Sequence, residues 1–451
     1  MRTFHGMHRL LPALLLLILV PTATAQETAV PDTAAALDLV WVFVAATLVF
    51  LMQGGFALLG AGAVRSKNTV NYLMKSVMDF SLGAVFFFMI GYAFMFGQGN
   101  AWIGLDGFFL GGGHPAPDTL ISFLFQAMFA ATAATIVAGA VAERMRLQAY
   151  VVYTVAITAF IYPVFGHWMW GGGFLSTLPF GAGAVDFAGS GVVHAVGGLL
   201  ALVAAFVLGP RIGRYDEDGV KRSMKGHNAT YVVLGTLLLF FGWFGFNTGS
   251  TLSAHDGGLA LIAVNTFLAG CAGATIVFMV QFLRGPTDIA AVCNGALAGL
   301  VSITAPCAFV APWAALVIGA SGGLLYLVAV AVLEDRLRVD DPVGAIAVHG
   351  VGGVFGLIAV GVFADGTGGV TGLVGGSISQ LVAQSIAAAT VIAWTLGTGW
   401  ILFKGLDVLV GLRVSEQEEL EGLDPSHHGS SAYPELAVMA ASATVLPKER
   451  R

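Results

Sequence analysis

Charge is what this 451-residue chain has least of: Asp, Glu, Lys and Arg together make up 10% of it. A soluble domain carries about 25%, so that class is excluded. Cysteine is also scarce. Cys271, Cys293 and Cys307 have no metal-ligand spacing, two falling in apolar runs and the third in a short loop. They read as inert, buried thiols. Nothing here requires a metal, a cofactor or nucleic acid.

What the chain has is apolar surface. Hydrophobic residues make up 57% of it, mean hydropathy is +0.85, and the 61 glycines suit helices packed closely through small residues. Arg2 and Arg9 precede a short apolar run, 10–20, and then Ala23-Thr24-Ala25. That run is shorter than the roughly 17–25 residues of a spanning helix, and the small-residue site reads as signal-peptidase cleavage. Residues 1–25 are thus a predicted signal peptide, with an uncleaved anchor as the alternative, and 26–37 a short extracytoplasmic segment.

Apolar runs by the ~20-residue criterion predict an all-α integral membrane protein of eleven spans. They fall near 38–63, 71–97, 119–142, 147–168, 189–210, 228–246, 258–282, 289–304, 312–333, 343–363 and 376–404. Arg65, Lys67, Arg144, Arg146, Arg211, Arg214, Lys221, Arg222, Lys225, Arg284, Arg336, Arg338 and Lys404 share one side, with Lys75 just inside the second span at that end. The opposite connections, 98–118, 169–188, 247–257, 305–311 and 364–375, contain no Lys or Arg. The excess of positive charge on cytoplasmic loops places the 405–451 tail inside and the amino terminus outside.

One pattern occurs twice. Asp186, Gly189, Val193, His194, Val196, Gly197 and Gly198 recur as Asp341, Gly344, Val348, His349, Val351, Gly352 and Gly353. In the predicted topology the first copy enters from outside and the second from inside. This makes inverted repeats of about 38–210 and 228–363, with helix 376–404 added. Eight residues carry each histidine about 12 Å inward, so both reach the middle of a core about 30 Å thick. Each Asp is 80° off its histidine's face and reads as a cap on free backbone amides. Inverted repeats around a midplane site are a transport architecture, and intramembrane ionisable groups mark its pathway.

Several ordered motifs carry a resemblance. They are Trp170-Gly171-Gly172-Gly173, Asp186-Phe187-Ala188-Gly189 through His194, and Gly242-Trp243-Phe244-Gly245-Phe246-Asn247. Others are Asn294-Gly295-Ala296-Leu297-Ala298-Gly299-Leu300, Asp340-Asp341-Pro342 before His349, and Gly411-Leu412-Arg413-Val414-Ser415-Glu416. Together they resemble the ammonium transporter (Amt/MEP/Rh) family, Amt branch, over residues 38–435. The resemblance implies a homotrimer in a bacterial cytoplasmic membrane, each protomer with its own pore. It implies an outer ammonium site of Phe129, Trp170 and Ser250 and a gate of Phe129 over Phe246. His194 and His349 would line the pore, and Asp186 would be structural near the outer site. It also implies a regulatory tail that meets a PII signalling protein. Gly344 departs from relatives that have a second carboxylate there, which bears on cytoplasmic contacts and leaves the pore unaffected.

The residue types suit that chemistry. Aromatic faces attract cations by roughly 0.5–2 kcal/mol, and a hydroxyl accepts N–H. An apolar wall including Ile136 and Leu239 penalises a bare cation. Ammonium recruited outside is therefore expected to lose its proton and cross as ammonia, hydrogen-bonded to imidazole. Taken singly, Trp170 also fits an interfacial belt, Phe129 and Phe246 fit packing, Ser250 a cap, and the histidines interhelical hydrogen bonds. Two other function classes compete. Gly319-Ala320-Ser321-Gly322 with His349 resembles an intramembrane serine protease, although such short matches are cheap among small residues. A sensor that binds ammonium but conducts little is the third reading.

Overall fold

The computed structural model describes residues 33–435. The predicted signal peptide and the last residues of the tail lie outside that range.

Among the described residues the chain is helical and has no strand. Ten helices are long and apolar enough to cross a bilayer: α1 Thr33–Ala63, α2 Ser66–Phe96, α3 Pro117–Ala140, α4 Leu147–Trp170, α5 Ser190–Leu208, α6 Ala229–Thr251, α7 Leu259–Phe282, α9 Pro312–Arg336, α10 Ile346–Phe363 and α11 Ser379–Leu409. Between α7 and α9 lies the shorter apolar α8, Ile289–Thr304, of 16 residues. Helix is the form that satisfies every backbone group without water. Its ends follow local chemistry. Pro117 and Pro312 open α3 and α9 at positions where no N–H is needed. Asn228 and Asp288 cap α6 and α8 by accepting from Tyr231 and Ala290 amides at 3.1 and 2.9 Å.

The helices coincide with the apolar runs apart from shifted ends: α1 begins at Thr33, inside the predicted 26–37 segment, and α2 at Ser66 rather than 71. α11 continues past 404 to Leu409 because Leu406, Val408 and Leu409 prolong the apolar pattern, so the polar tail begins later. Lys75 lies inside α2, as the sequence predicts. It is buried, donates to the Met145 carbonyl at 3.0 Å and lies over the Tyr150 ring. Cys271 is only half-buried, whereas Cys293 and Cys307 are buried.

α5 and α10 cross at the centre. Gly191 packs on Leu357, Ala195 on Gly353, and Gly198 on Gly350. One number rises as the other falls, so the two copies of the motif run antiparallel. After α11, residues 412–414 pair with the α3–α4 connection, where the Arg146 amide donates to Leu412 and the Val414 amide to Arg144. The short helix α12, Glu416–Glu421, follows. Ser415 and Glu418 close it with reciprocal side-chain to backbone bonds.

Candidate functional site

Each copy of the motif opens its helix in the same way. Asp186 accepts from the Gly189, Gly191 and Val192 amides at 3.0, 2.8 and 2.9 Å. Asp341 accepts from Gly344, Ala345 and Ile346 at 3.1, 3.0 and 2.7 Å. These carboxylates take the amide groups that a helix start leaves unpaired. The glycine three residues after each Asp is explained by φ values of +112° at Gly189 and +85° at Gly344, a conformation costly for any other residue. Both histidines then lie in wide π-type turns, 190–195 and 346–351. Such turns displace side chains from helical register and recur at functional sites.

The displacement brings the two imidazoles together. Their Nδ1 atoms are 3.1 Å apart and their rings stack at 5.2 Å and 25°. Outward from them, Phe246 lies over His194 at 5.4 Å, and Phe129 over Phe246 at 4.1 Å and 23°. Trp170 meets Phe129 edge-on at 6.3 Å. The Trp170 indole N–H donates to the Asp186 carbonyl at 2.7 Å, which ties the outermost ring to the loop that caps α5. Trp170, Phe129, Phe246, His194 and His349 thus form one continuous column, its inner four members buried.

Ser250 joins this column indirectly. Its hydroxyl donates to the Phe246 carbonyl at 2.9 Å and makes no hydrogen bond to Trp170. Because its one proton is used there, the hydroxyl keeps its lone pairs to offer. Beyond His349 a cavity is lined by Phe56, Tyr72, Thr135, Asn294, Val348 and His349. No hydrogen bond joins Ser321 to either histidine, and the Nδ1 atom of His349 is already turned to His194.

Some of this neighbourhood escaped the sequence reading. Trp243 stacks on His194 at 5.1 Å and 20° and donates to Thr304 at 2.9 Å. It lies in a motif quoted for its family likeness, but ring spacing along a helix gave no reason to set it beside a histidine. Asp79 is fully buried and accepts from the Tyr150 and Thr154 hydroxyls. Its signal was available, since Asp79 and Lys75 are ionisable residues four apart inside an apolar span.

At the end of the molecule that carries the tail, the connecting loops share an ion network. Arg211 clasps Asp340 with two side-chain bonds of 2.8 and 2.9 Å, adds its own amide at 3.0 Å, and meets Glu143 at 3.2 Å. Arg65 also binds Glu143, and Arg214 binds Glu334 and Asp340. Burial opposes the Asp340 charge, but Arg211 and Arg144 overcome it and hold the carboxyl well below its usual range. Asp340 adjoins Asp341, the cap of α10. The tail enters the same network: Glu419 accepts from Arg413 at 2.9 Å and from the Ile212 amide at 2.7 Å.

Among the described residues, ten helices long and apolar enough to cross a bilayer, packed around a buried column of aromatic rings and imidazoles, make this a multi-pass membrane protein. Comparison with known proteins gives the family. The model of the ammonium transporter family matches residues 40–433. The ammonium transporter Amt2 of Archaeoglobus fulgidus is 48% identical over 443 residues, covering 93% of this chain and 94% of its own. Ammonium transporter 1 member 3 of Solanum lycopersicum is 41% identical over 441 residues, covering 91% and 95%. Among solved structures, a sensor Amt protein is 37% identical with a TM-score of 0.84, covering 88% of this chain and 99% of that one. Mep2 of Candida albicans is 30% identical with a TM-score of 0.79, covering 87% and 89%. The chain belongs to the ammonium transporter family.

Proposed function

We propose that this protein carries ammonium across the bacterial cytoplasmic membrane. It would act as a homotrimer of eleven-span protomers, each with inverted repeats, an outside amino terminus and an inside tail. The observation that carries this reading is the uninterrupted column from Trp170 to His349. Trp170, Phe129 and the Ser250 hydroxyl recruit the cation at the outer end. The Phe129–Phe246 stack excludes hydrated ions, so passage requires that ammonium give up its proton to water on the outer side of this gate. Ammonia then crosses along His194 and His349, which replace the hydrogen bonds that it loses with water. It regains a proton from water on the far side, below the histidines. The tail, through Arg413 and Glu419, regulates this passage and meets a PII signalling protein.

Current measurement on proteoliposomes fused to a solid-supported membrane tests the reading. Ammonium pulses should give transport that potassium and sodium pulses do not. The likeness to a sensor Amt protein favours one further reading, in which this chain binds ammonium and conducts little. A binding signal without ammonium flux would select it.

A further inference from the structure

The tail is clasped to the start of α2 by groups that the transport reading does not use. The Asp424 carboxylate accepts from the Val70 and Asn71 amides at 3.0 and 2.9 Å, and the Leu423 amide donates to the Asn68 side chain at 2.9 Å. Lys67 donates to the Glu419 and Leu420 carbonyls. Over this cap sit two imidazoles in succession. The side-chain amide nitrogen of Asn71 is 3.3 Å from His427 Nδ1 and 3.1 Å from His428 Nε2. That –NH2 group has two hydrogens and no lone pair to offer. It satisfies both rings at once only while each presents a bare nitrogen.

We infer that Asn71, His427 and His428 form an acid-sensitive clasp, which holds the tail on α2 while both imidazoles are neutral and loosens it when either is protonated. With the amide in this orientation, protonation sets an N–H of the ring against an N–H of the amide and converts an attractive contact into a repulsive one.

The charged surroundings act in the same direction. Burial lowers the proton affinity of both docked imidazoles, and Lys75 on α2 lowers it further wherever it is charged; Arg146, from the α3–α4 connection, adds to this at His427. Glu418 on α12, 3.8 Å from His427 Nε2, and Asp424 beside His428 pull the other way without reversing it. A group whose pKa is lowered by docking stabilises the docked state above its free value, ordinarily about 6.5 for histidine, and loses that contribution as pH falls through the range below it. The clasp is therefore closed at neutral pH and opens on acidification of the tail side. In the orientation proposed above that side is the cytoplasm, and only the name of the compartment depends on that reading.

The test reads docking rather than transport, so failure of the transport reading leaves it standing. An environment-sensitive fluorophore on Ser430→Cys, an exposed position just past the clasp, reports tail mobility in the purified full-length protein between pH 8 and pH 5. The unsubstituted clasp should hold the label at pH 8 and release it with a midpoint below about 6.5. His427→Gln with His428→Gln supplies acceptors that do not protonate in this range and should hold the label throughout. Asn71→Asp supplies a carboxylate that receives imidazolium N–H and should reverse the response, binding more tightly at pH 5.5 than at pH 8. Retention of the label by the unsubstituted clasp down to pH 5 would overturn the inference. So would release of the double-glutamine protein at the original midpoint.

Discussion

Gly198 and Gly350 meet backbone to backbone. A Cβ on Gly198 would stand 2.1 Å from the Gly350 amide nitrogen, and a Cβ on Gly353 2.6 Å from the Ala195 amide nitrogen. The second glycine of each Val-Gly-Gly therefore sits where the opposite helix crosses, one residue beyond that helix's histidine. These glycines set the spacing of the imidazoles above them.

Gly198→Ala and Gly353→Ala should each force α5 and α10 apart. Overpacking of this kind costs about 1–3 kcal/mol, seen as a lower thermal midpoint of the purified protein and reduced ammonium flux. Gly397→Ala is the control, because nothing lies within 4 Å of its Cβ position, and it should leave both measurements unchanged.

Acidic replacement of the histidines tests selectivity. His194→Asp or His349→Glu offers a carboxylate to a bare cation and should let potassium contribute to the current in proteoliposomes. If the imidazoles serve only as interhelical bonds, both variants should lose expressed protein while whatever folds still rejects potassium.

Trp170→Leu combined with Ser250→Ala should weaken recruitment. Loss of a cation–π contact of roughly 0.5–2 kcal/mol corresponds to a half-saturating ammonium concentration raised about 2- to 30-fold. An uptake curve of unchanged concentration dependence would remove both residues from the outer site.

Asp340→Asn leaves Arg211 buried with half its partner lost, a change that costs about 3–5 kcal/mol in comparable pairs. The Asp340 carboxyl is held below its usual range, so its contribution is fully present above the ordinary carboxylate pKa and is lost as pH falls through the depressed value. The variant should therefore unfold at lower temperature than the parent at pH 7. The gap should persist through mildly acid pH and narrow only in strong acid.

Deleting residues from Glu416 onward removes the Glu419 contacts to Arg413 and Ile212. Transport should fall, or its control by nitrogen supply should disappear in cells. Normal rates with normal control would leave the tail as a solvated end.

Helix position was legible because a lipid-facing helix is apolar all round, so composition alone marks it. The repeated Asp-to-His spacing was legible for a similar reason, since ionisable residues are rare enough in such runs for a recurrence to stand out. What composition could not supply was side-chain register. Trp243 beside His194 depends on a wide turn whose i→i+5 bonding no residue pattern announces. The burial of Lys75 depends on Met145, far along the chain, turning a carbonyl toward it. Ser250 shows the same limit: residue type alone fits a cap, and only the structure shows its proton given to the Phe246 carbonyl one turn back, with its lone pairs kept free.

The 3.1 Å separation of the two Nδ1 atoms has a consequence for counting protons. A hydrogen bond across that gap needs one hydrogen between the pair, because two would collide and none would leave lone pairs facing each other. Two neutral rings are then compelled to be opposite tautomers. The ring that donates has a bare Nε2, and the ring that accepts has its hydrogen on Nε2. To exchange these parts, a proton must arrive at one Nε2, the shared hydrogen must cross, and another proton must depart from the far Nε2. Each reversal of polarity thus moves one unit of charge from one end of the pair to the other, and the next in the same direction must wait until the tautomers are reset.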